Sequence, residues 1–235
     1  LVFRNLERAE DLSRDAMLEG IDWTWETFPQ FLDAVDALPK GINYAGYIGH
    51  SALRTYVMGE RAFAEAASED DTRRMQAVVK EAMQAGAIGF STNRLFAHRM
   101  PDGRCIPGTY ATHEEVVAIS KAVGIHGGML QSVIEGGERV HDELALMKKQ
   151  LEAAQTRLLF SAPWTPGENG ESVYQKAVEE MQSAGLNING TTQPRAAGFL
   201  SGLQTNVLIA MRIEVPGWRE LRSTDPVSYT HLRAH

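Results

Sequence analysis

Apolar residues gather in five short segments, which alternate with longer segments where apolar residues recur at helical spacing. The short segments predict buried strands at Ile42 to Ile48, Ala87 to Phe90, Met129 to Ile134, Leu158 to Ala162 and Leu186 to Thr191. The longer segments predict helices at about Asp70 to Ala85, from Thr112 onward, and at about Glu138 to Ala154 and Ser172 to Ala184. Strands that alternate with helices in this way indicate repeated βα units around a parallel sheet.

Polar residues and glycine mark several helix ends. Ser68 can cap the helix that starts near residue 70, and Gly86 can end it. Thr112 and Glu115 have the spacing of a capping box, in which each side chain bonds to the backbone of the other residue. A further helical stretch, Trp23 to Leu38, carries aromatic residues that we expect to pack as an outer-helix face rather than to bind a ligand.

Five βα units fit either an open doubly wound sheet, as in a flavodoxin-like protein, or part of an eightfold barrel. A dinucleotide-binding sheet would show a G-x-G-x-x-G turn after a strand, and neither this turn nor a P-loop is present in the sequence. We therefore predict an α/β protein with a partial (β/α)8 TIM-type barrel of about five βα units.

Composition narrows the class of protein. Of the 235 residues, 43% are hydrophobic and 23% are charged, as in an ordinary globular domain. The net charge of −7 and the scattered basic residues argue against nucleic acid as a partner. No apolar run approaches the roughly 20 residues that a helix needs to span a bilayer, so no membrane association is expected.

The single cysteine, Cys105, is interpreted as incidental and fits a reducing, cytoplasmic location. The sequence leaves the oligomeric state undetermined.

Both ends of the sequence are unusual. The chain starts at Leu1 without an initiator Met, and residues 227–235 resemble a translated sequencing adapter. We expect residues 1–226 to be the central part of one barrel domain. We expect residues 227–235 to be a non-native tail in which no residue has a function.

In parallel α/β folds, site residues lie in the loops that follow the strands. His50 follows the first predicted strand and is the candidate catalytic residue, because imidazole transfers protons or binds metal near neutral pH. The alternative is that His50 caps the next helix or bonds to a loop.

Four other residues are candidates for binding substrate. Arg99 with His98 can pair with an anionic group, although both could equally belong to a solvated loop. Gln131 lies on the third predicted strand, and Arg195 follows the fifth. The sequence shows no H-x-H, H-E-x-x-H or C-x-x-C spacing, so no residue is assigned to a metal.

Three stretches resemble the N-acyl-D-amino-acid deacylase branch of the amidohydrolase superfamily. They run from Gly20 to Ala34, from Gly49 to Gly59 (GHSALRTYVMG) and from Ala85 to Thr92 (AGAIGFST), in matching order and separation. The resemblance extends from about Gly20 to Leu203.

This resemblance implies a (β/α)8 barrel with an accessory β domain, a divalent metal, expected to be zinc, and hydrolysis of an amide C–N bond in a small-molecule substrate such as an N-acyl amino acid. It also implies that the five strands are the third to the seventh of the barrel. The metal-binding H-x-H, a metal-ligand Cys and the catalytic Asp would then lie outside this chain, and the chain alone would be inactive.

Two departures from the family pattern keep an alternative open. Where these deacylases have metal-ligand histidines, at the ends of the fifth and sixth barrel strands, this chain has Val133 and Ala162. The 93–109 loop and Gln193-Pro-Arg195 resemble a divergent subgroup of amidohydrolases. The alternative is a non-catalytic barrel that binds a small ligand.

Overall fold

Five parallel strands form one sheet, in which their spatial order β1-β2-β3-β4-β5 is also their order along the chain. The computed structural model describes residues 14–96, 98–100, 102–162 and 172–192. The strands are β1 (Tyr47–Gly49), β2 (Gly89–Asn93), β3 (Met129–Val133), β4 (Arg157–Ser161) and β5 (Asn187–Thr191). The helices are α1 (Arg14–Gly20), α2 (Phe28–Asp36), α3 (His50–Met58), α4 (Glu69–Ala85), α5 (His113–Ile125), α6 (Val140–Ala154) and α7 (Val173–Ser183).

The strand order decides between the two predicted architectures. Each strand pairs in parallel with the next strand of the chain, as in a barrel that is wound in one direction. A flavodoxin-like sheet reverses its strand order at a switch point, and the described sheet contains no reversal. The predicted α/β class with barrel-type winding is therefore confirmed.

The core lies on one face of the sheet. A row of apolar side chains crosses it, one from each strand in register: Ile48, Phe90, Leu130, Leu158 and Ile188. All five are at most 4% exposed and pack against residues of the connecting helices. Because side chains alternate along a strand, the intervening residues point to the opposite side. We call that side the open face; it carries Ser91, Asn93, Gln131, Val133 and Leu159, all only partly buried.

A glycine allows β2 and β3 to approach closely. A Cβ atom on Gly89 would lie 1.8 Å from the carbonyl oxygen of Met129, which no relaxation of a side chain could relieve. The residue at this position must therefore lack a side chain.

The helix ends confirm most of the predicted caps. Ser68 and Asp71 form a reciprocal capping box at the start of α4, and Gly86 ends this helix with a φ of 113°. Thr112 caps α5 through the backbone N–H of Glu115, at 3.2 Å. The predicted return bond from the Glu115 side chain is wrong, because that carboxylate binds His50 and Arg54 instead.

Three predicted boundaries are wrong. The first strand covers only Tyr47–Gly49, since the backbone finds a partner strand only from residue 47 onward and Ile42 is 83% exposed. The second strand extends through the polar residues 91–93, which pair with β3. The first long helix begins only at Phe28, where Thr27 caps it. Trp23 and Trp25 therefore stack outside the helix, with ring centroids 4.6 Å apart.

Some expectations concern residues beyond those described. Arg195, the boundary at residue 226 and the tail at 227–235 all fall there. Within the described ranges, no helix combines the length and apolar character needed to cross a membrane.

Candidate functional site

The carboxyl ends of the strands lie at one edge of the sheet, because all five strands are parallel. We call this the carboxyl edge. His50 follows β1 directly, Asn93 ends β2 and Glu135 follows β3. Ligands of such folds bind at this edge. The contacts of these three residues therefore indicate whether the edge can bind a substrate, transfer a proton or hold a metal.

His50 lies on the helix side of the sheet rather than on the open face. Its side chain is buried, and its ring packs edge-on against Phe90 with centroids 5.1 Å apart. Nδ1 lies 2.8 Å from the hydroxyl of Thr92, and Nε2 lies 2.8 Å from the carboxylate of Glu115. Glu115 also accepts a hydrogen bond from the buried guanidinium of Arg54. These contacts connect β2, α3 and α5.

The electrostatics of this cluster favour a neutral His50. Burial lowers the pKa of His50 below 6.5, and the hydrogen bond to Glu115 offsets this only in part. Burial would raise the pKa of Glu115, but the hydrogen bonds from His50 and Arg54 and the charge of Arg54 hold it below its ordinary value. A neutral His50 therefore donates from Nε2 to the carboxylate and accepts at Nδ1 from Thr92. The catalytic role of His50 remains a prediction, and these two occupied nitrogens favour the structural alternative.

A second buried ion pair fixes the start of the segment after β2. Nε of Arg94 donates to both carboxylate oxygens of Glu143, at 3.0 and 2.9 Å, and Nη1 donates to the carbonyl of Ala111 at 2.8 Å. Arg94 is 4% exposed. The backbone that leaves β2 is therefore held against α6.

His98 and Arg99 begin a hairpin within this segment. Their backbone pairs with that of residues 105–106, and Met100 and Cys105 are buried beneath it. His98 lies beside Asn93, with Nδ1 in hydrogen-bond contact with the Asn93 amide nitrogen. The guanidinium of Arg99 turns back and donates to the carbonyl of Gly103 at 2.9 Å.

Gln131 lies on the open face of β3, in register with Ser91 of β2. Its side chain is only partly buried, so the amide can contact a molecule on this face. The structure thus places Gln131 on the open face and His98 beside the Asn93 carboxamide of that face. It places His50 on the other side of the sheet, and Arg195 lies outside the described residues.

A divalent metal does not fit the described residues. Among them, no group of three or more His, Cys, Asp or Glu side chains could hold a metal ion. Val133 ends β3, and Ala162 directly follows β4. Both lie at the carboxyl edge, where the family resemblance places histidines, and an aliphatic side chain cannot coordinate metal.

Several residues of these networks were not recognised from the sequence. The sequence indicates only a capping role for Glu115, and no motif marks Arg54, Arg94 or Glu143. The polar character of Asn93 predicts a loop, whereas this residue ends β2. The spacing of His50 and Arg54, four residues apart at the start of a helix, is the one signal that could have indicated a shared partner.

Similarity searches identify deacylases as relatives. D-aminoacylase from Alcaligenes xylosoxydans xylosoxydans is 34% identical over 115 residues, which cover 49% of this chain and 22% of that protein. No family model matches the chain.

Solved structures that resemble this chain in fold also belong to deacylases. A D-aminoacylase structure, described as having a binuclear metal centre, superposes with a TM-score of 0.58 at 24% identity, covering 72% of this chain and 34% of that one. N-acyl-D-glutamate deacylase from Bordetella bronchiseptica, in complex with zinc and a phosphonate inhibitor, has a TM-score of 0.61 at 19% identity. That match covers 77% of this chain and 36% of the deacylase.

The chain therefore spans about a fifth to a third of the length of these relatives. The predicted family resemblance is confirmed in both sequence and fold: the homologues and structural neighbours of this chain include D-aminoacylases and N-acyl-D-amino-acid deacylases, and one D-aminoacylase structure is described as defining a subset of amidohydrolases.

Proposed function

We propose that this chain contributes five consecutive βα units to a metal-dependent amidohydrolase that cleaves the amide C–N bond of N-acyl amino acids. The observation that carries the proposal is the singly wound sheet with polar side chains on its open face, in a chain whose relatives are deacylases. Residues 1–226 would form the central part of the barrel domain, and residues 227–235 would be a non-native tail.

The described residues suit binding of substrate better than activation of water. In amidohydrolases of this kind, the metal lowers the pKa of a bound water and polarises the scissile carbonyl. Because the described residues lack a set of metal ligands, we place those ligands elsewhere in the whole protein. The zinc in the Bordetella bronchiseptica deacylase supports zinc as the metal.

We propose that Gln131 and His98 contact the amide or carboxylate of the substrate, because both lie at the open face or its carboxyl edge. Arg99 and Arg195 remain candidates for pairing with an anionic group of the substrate. Arg99 would have to exchange its bond to the Gly103 carbonyl for one to the ligand.

The proposal is tested with the full-length gene product and with the 235-residue chain in parallel. Both are incubated with N-acetyl-D-glutamate, with added zinc or with a chelator, and the free amino acid is measured. We expect zinc-dependent release by the full-length protein and none by the chain. Activity of the isolated chain would show that the ligands were assigned to the wrong part of the protein.

A non-catalytic barrel is the second candidate, and the aliphatic residues Val133 and Ala162 at the carboxyl edge favour it. This candidate predicts that the full-length protein binds N-acetyl-D-glutamate reversibly without releasing product. Calorimetric titration combined with the same assay separates the two candidates.

A further inference from the structure

One guanidinium closes the base of the segment between β2 and α5. We call residues 94–111 the β2–α5 loop. Its first residue, Arg94, continues the sheet by donating its backbone N–H to the carbonyl of Val133, at 2.9 Å. The side chain of the same residue donates from Nη1 to the carbonyl of Ala111, the last residue of the loop, at 2.8 Å. Both ends of the loop are therefore tied to a single residue.

The anchor of the loop is a buried ion pair. Glu143 of α6, which accepts from Nε of Arg94, is 0% exposed. A second guanidinium, that of Arg139, lies 3.2 Å from Oε1 of the same carboxylate and also covers the ring of Phe96, 5.0 Å from its centroid. Charge-assisted hydrogen bonds of this kind are about twice as strong as neutral ones. The loop is thus held to α6 by the strongest type of contact that it makes.

Further along, the described residues of the loop rest on the segment that starts with α3. The backbone N–H of Gly108 donates to the hydroxyl of Ser51, at 3.2 Å. A Cβ atom on Gly108 would lie 2.5 Å from the carbonyl oxygen of Asn93, so the loop passes close against the end of β2. The guanidinium of Arg104 lies over the ring of Phe63, 5.3 Å from its centroid.

The hairpin of this loop presents Arg99 to the solvent. The backbone of Arg99 pairs with that of Cys105 in an antiparallel bridge, and the side chain of Arg99 is only partly buried. A guanidinium in this position can pair with a carboxylate. Its position relative to the carboxyl edge depends on how firmly the base of the loop is held.

We propose that Arg94 is a positioning residue, which fixes the β2–α5 loop through Glu143 and the carbonyl of Ala111 so that Arg99 pairs with an anionic group of the substrate. The inference rests on the proposed function for its substrate class. A group that is already fixed loses less conformational freedom on binding than a mobile one. The anchor therefore strengthens substrate binding and has little effect on the chemical step.

Hydrogen exchange of the 235-residue chain, followed by mass spectrometry, tests the anchor. Arg94→Lys keeps the positive charge beside Glu143, but an ammonium lacks the fork with which a guanidinium reaches Glu143 and Ala111 together. We expect the hydrogen-bonded amides of residues 100–108 to exchange at least about tenfold faster, as for the loss of one charge-assisted hydrogen bond. Exchange in β4 should not change. Arg61→Lys replaces another guanidinium that pairs with a carboxylate through two nitrogens, and this matched control should leave the loop unchanged.

Two results would overturn the role of Arg94 as an anchor. One is unchanged exchange of the loop in Arg94→Lys. The other is equal acceleration in the loop and in β4, because that would show a loss of global stability rather than a local release.

Kinetics of the full-length protein with N-acetyl-D-glutamate separate positioning from stability. A smaller fraction of folded enzyme lowers kcat and leaves KM unchanged, whereas a displaced Arg99 weakens substrate binding. We expect Arg94→Lys to raise KM about tenfold with little change in kcat, and Arg99→Gln to do the same. Because both changes act through one side chain, the double variant should be no worse than Arg99→Gln alone.

An unchanged KM in Arg94→Lys, or additive effects in the double variant, would overturn the positioning role even where the loop exchanges faster. If the full-length protein releases no amino acid, the proposed function fails. The same comparison is then made on Kd from calorimetric titration with N-acetyl-D-glutamate, so the two failures are distinguishable.

Discussion

Replacing Glu115 by glutamine removes the carboxylate that pairs with the buried Arg54, the only such partner among the described residues. The guanidinium of Arg54 is 0% exposed, and its Nε has no hydrogen-bond partner in the described part of the chain. The amide of glutamine carries no charge, and its NH2 group cannot accept the proton that His50 donates.

The expected loss follows from the uncompensated charge. Removing one partner of a buried ion pair costs about 3–5 kcal/mol, a large part of the roughly 5–15 kcal/mol by which a domain is stable. Glu114 provides the matched control, since it lies one residue earlier in the same helical turn and is exposed. Glu114→Gln should destabilise the fold far less than Glu115→Gln, because the exposed Glu114 loses no buried partner and acts mainly on the helix dipole.

The free energy of unfolding is measured by urea titration, followed by far-UV circular dichroism, at pH 7.5. The double variant Arg54→Met with Glu115→Met should recover part of the loss, because no buried charge then remains without a partner. Two results would refute the argument from charge compensation. One is that Glu115→Gln is no more destabilising than Glu114→Gln. The other is that the double variant is less stable than Glu115→Gln.

Three further predictions concern His50, Gly89 and zinc. Because burial lowers the pKa of folded His50, the unfolded chain binds its proton first as the pH falls below 6.5. The stability advantage of the wild type over His50→Gln should therefore shrink as the pH falls from 7 to 5.5, and a constant difference would contradict the lowered pKa. Gly89→Ala should cost about 3 kcal/mol or more through overpacking, whereas Gly41→Ala, with no atom within 4 Å of its Cβ, should change the urea midpoint little. Zinc should not raise the melting temperature of the chain, and a rise that saturates with zinc would reveal ligands beyond the described residues.

The fold could be predicted from the sequence because the patterns that indicate strands and helices involve residues that are close together in the chain. Alternation of apolar runs with helical spacing located all five strands, and Ser68 and Gly86 marked the ends of α4. The strand boundaries were less accurate, since a strand begins where it finds a partner. Tyr47 pairs with Gly89, whereas the equally apolar Ile42 remains exposed.

The contacts of the candidate site were harder to predict, because the residues that form them are far apart in the sequence. His50 and Glu115 are 65 residues apart, and no spacing rule connects them. The position of His50 after a strand predicts a site residue, but its ring contacts Phe90, Thr92 and Glu115 on the helix side of the sheet. The contact between Asn93 and His98 depends on β2 continuing to residue 93. The apolar pattern ends at residue 90, and the polar residues 91–93 do not indicate a strand.

The central claim is that this chain supplies barrel units to an amidohydrolase whose metal ligands lie elsewhere. Sequencing the source DNA across both ends of the gene tests it most directly. The account predicts an open reading frame that continues on both sides, with an H-x-H strand upstream, a Cys-bearing strand end after it, and an Asp-bearing strand downstream. An extended frame that lacks these residues, or a start and stop codon at the present ends, would contradict the claim and favour the non-catalytic barrel.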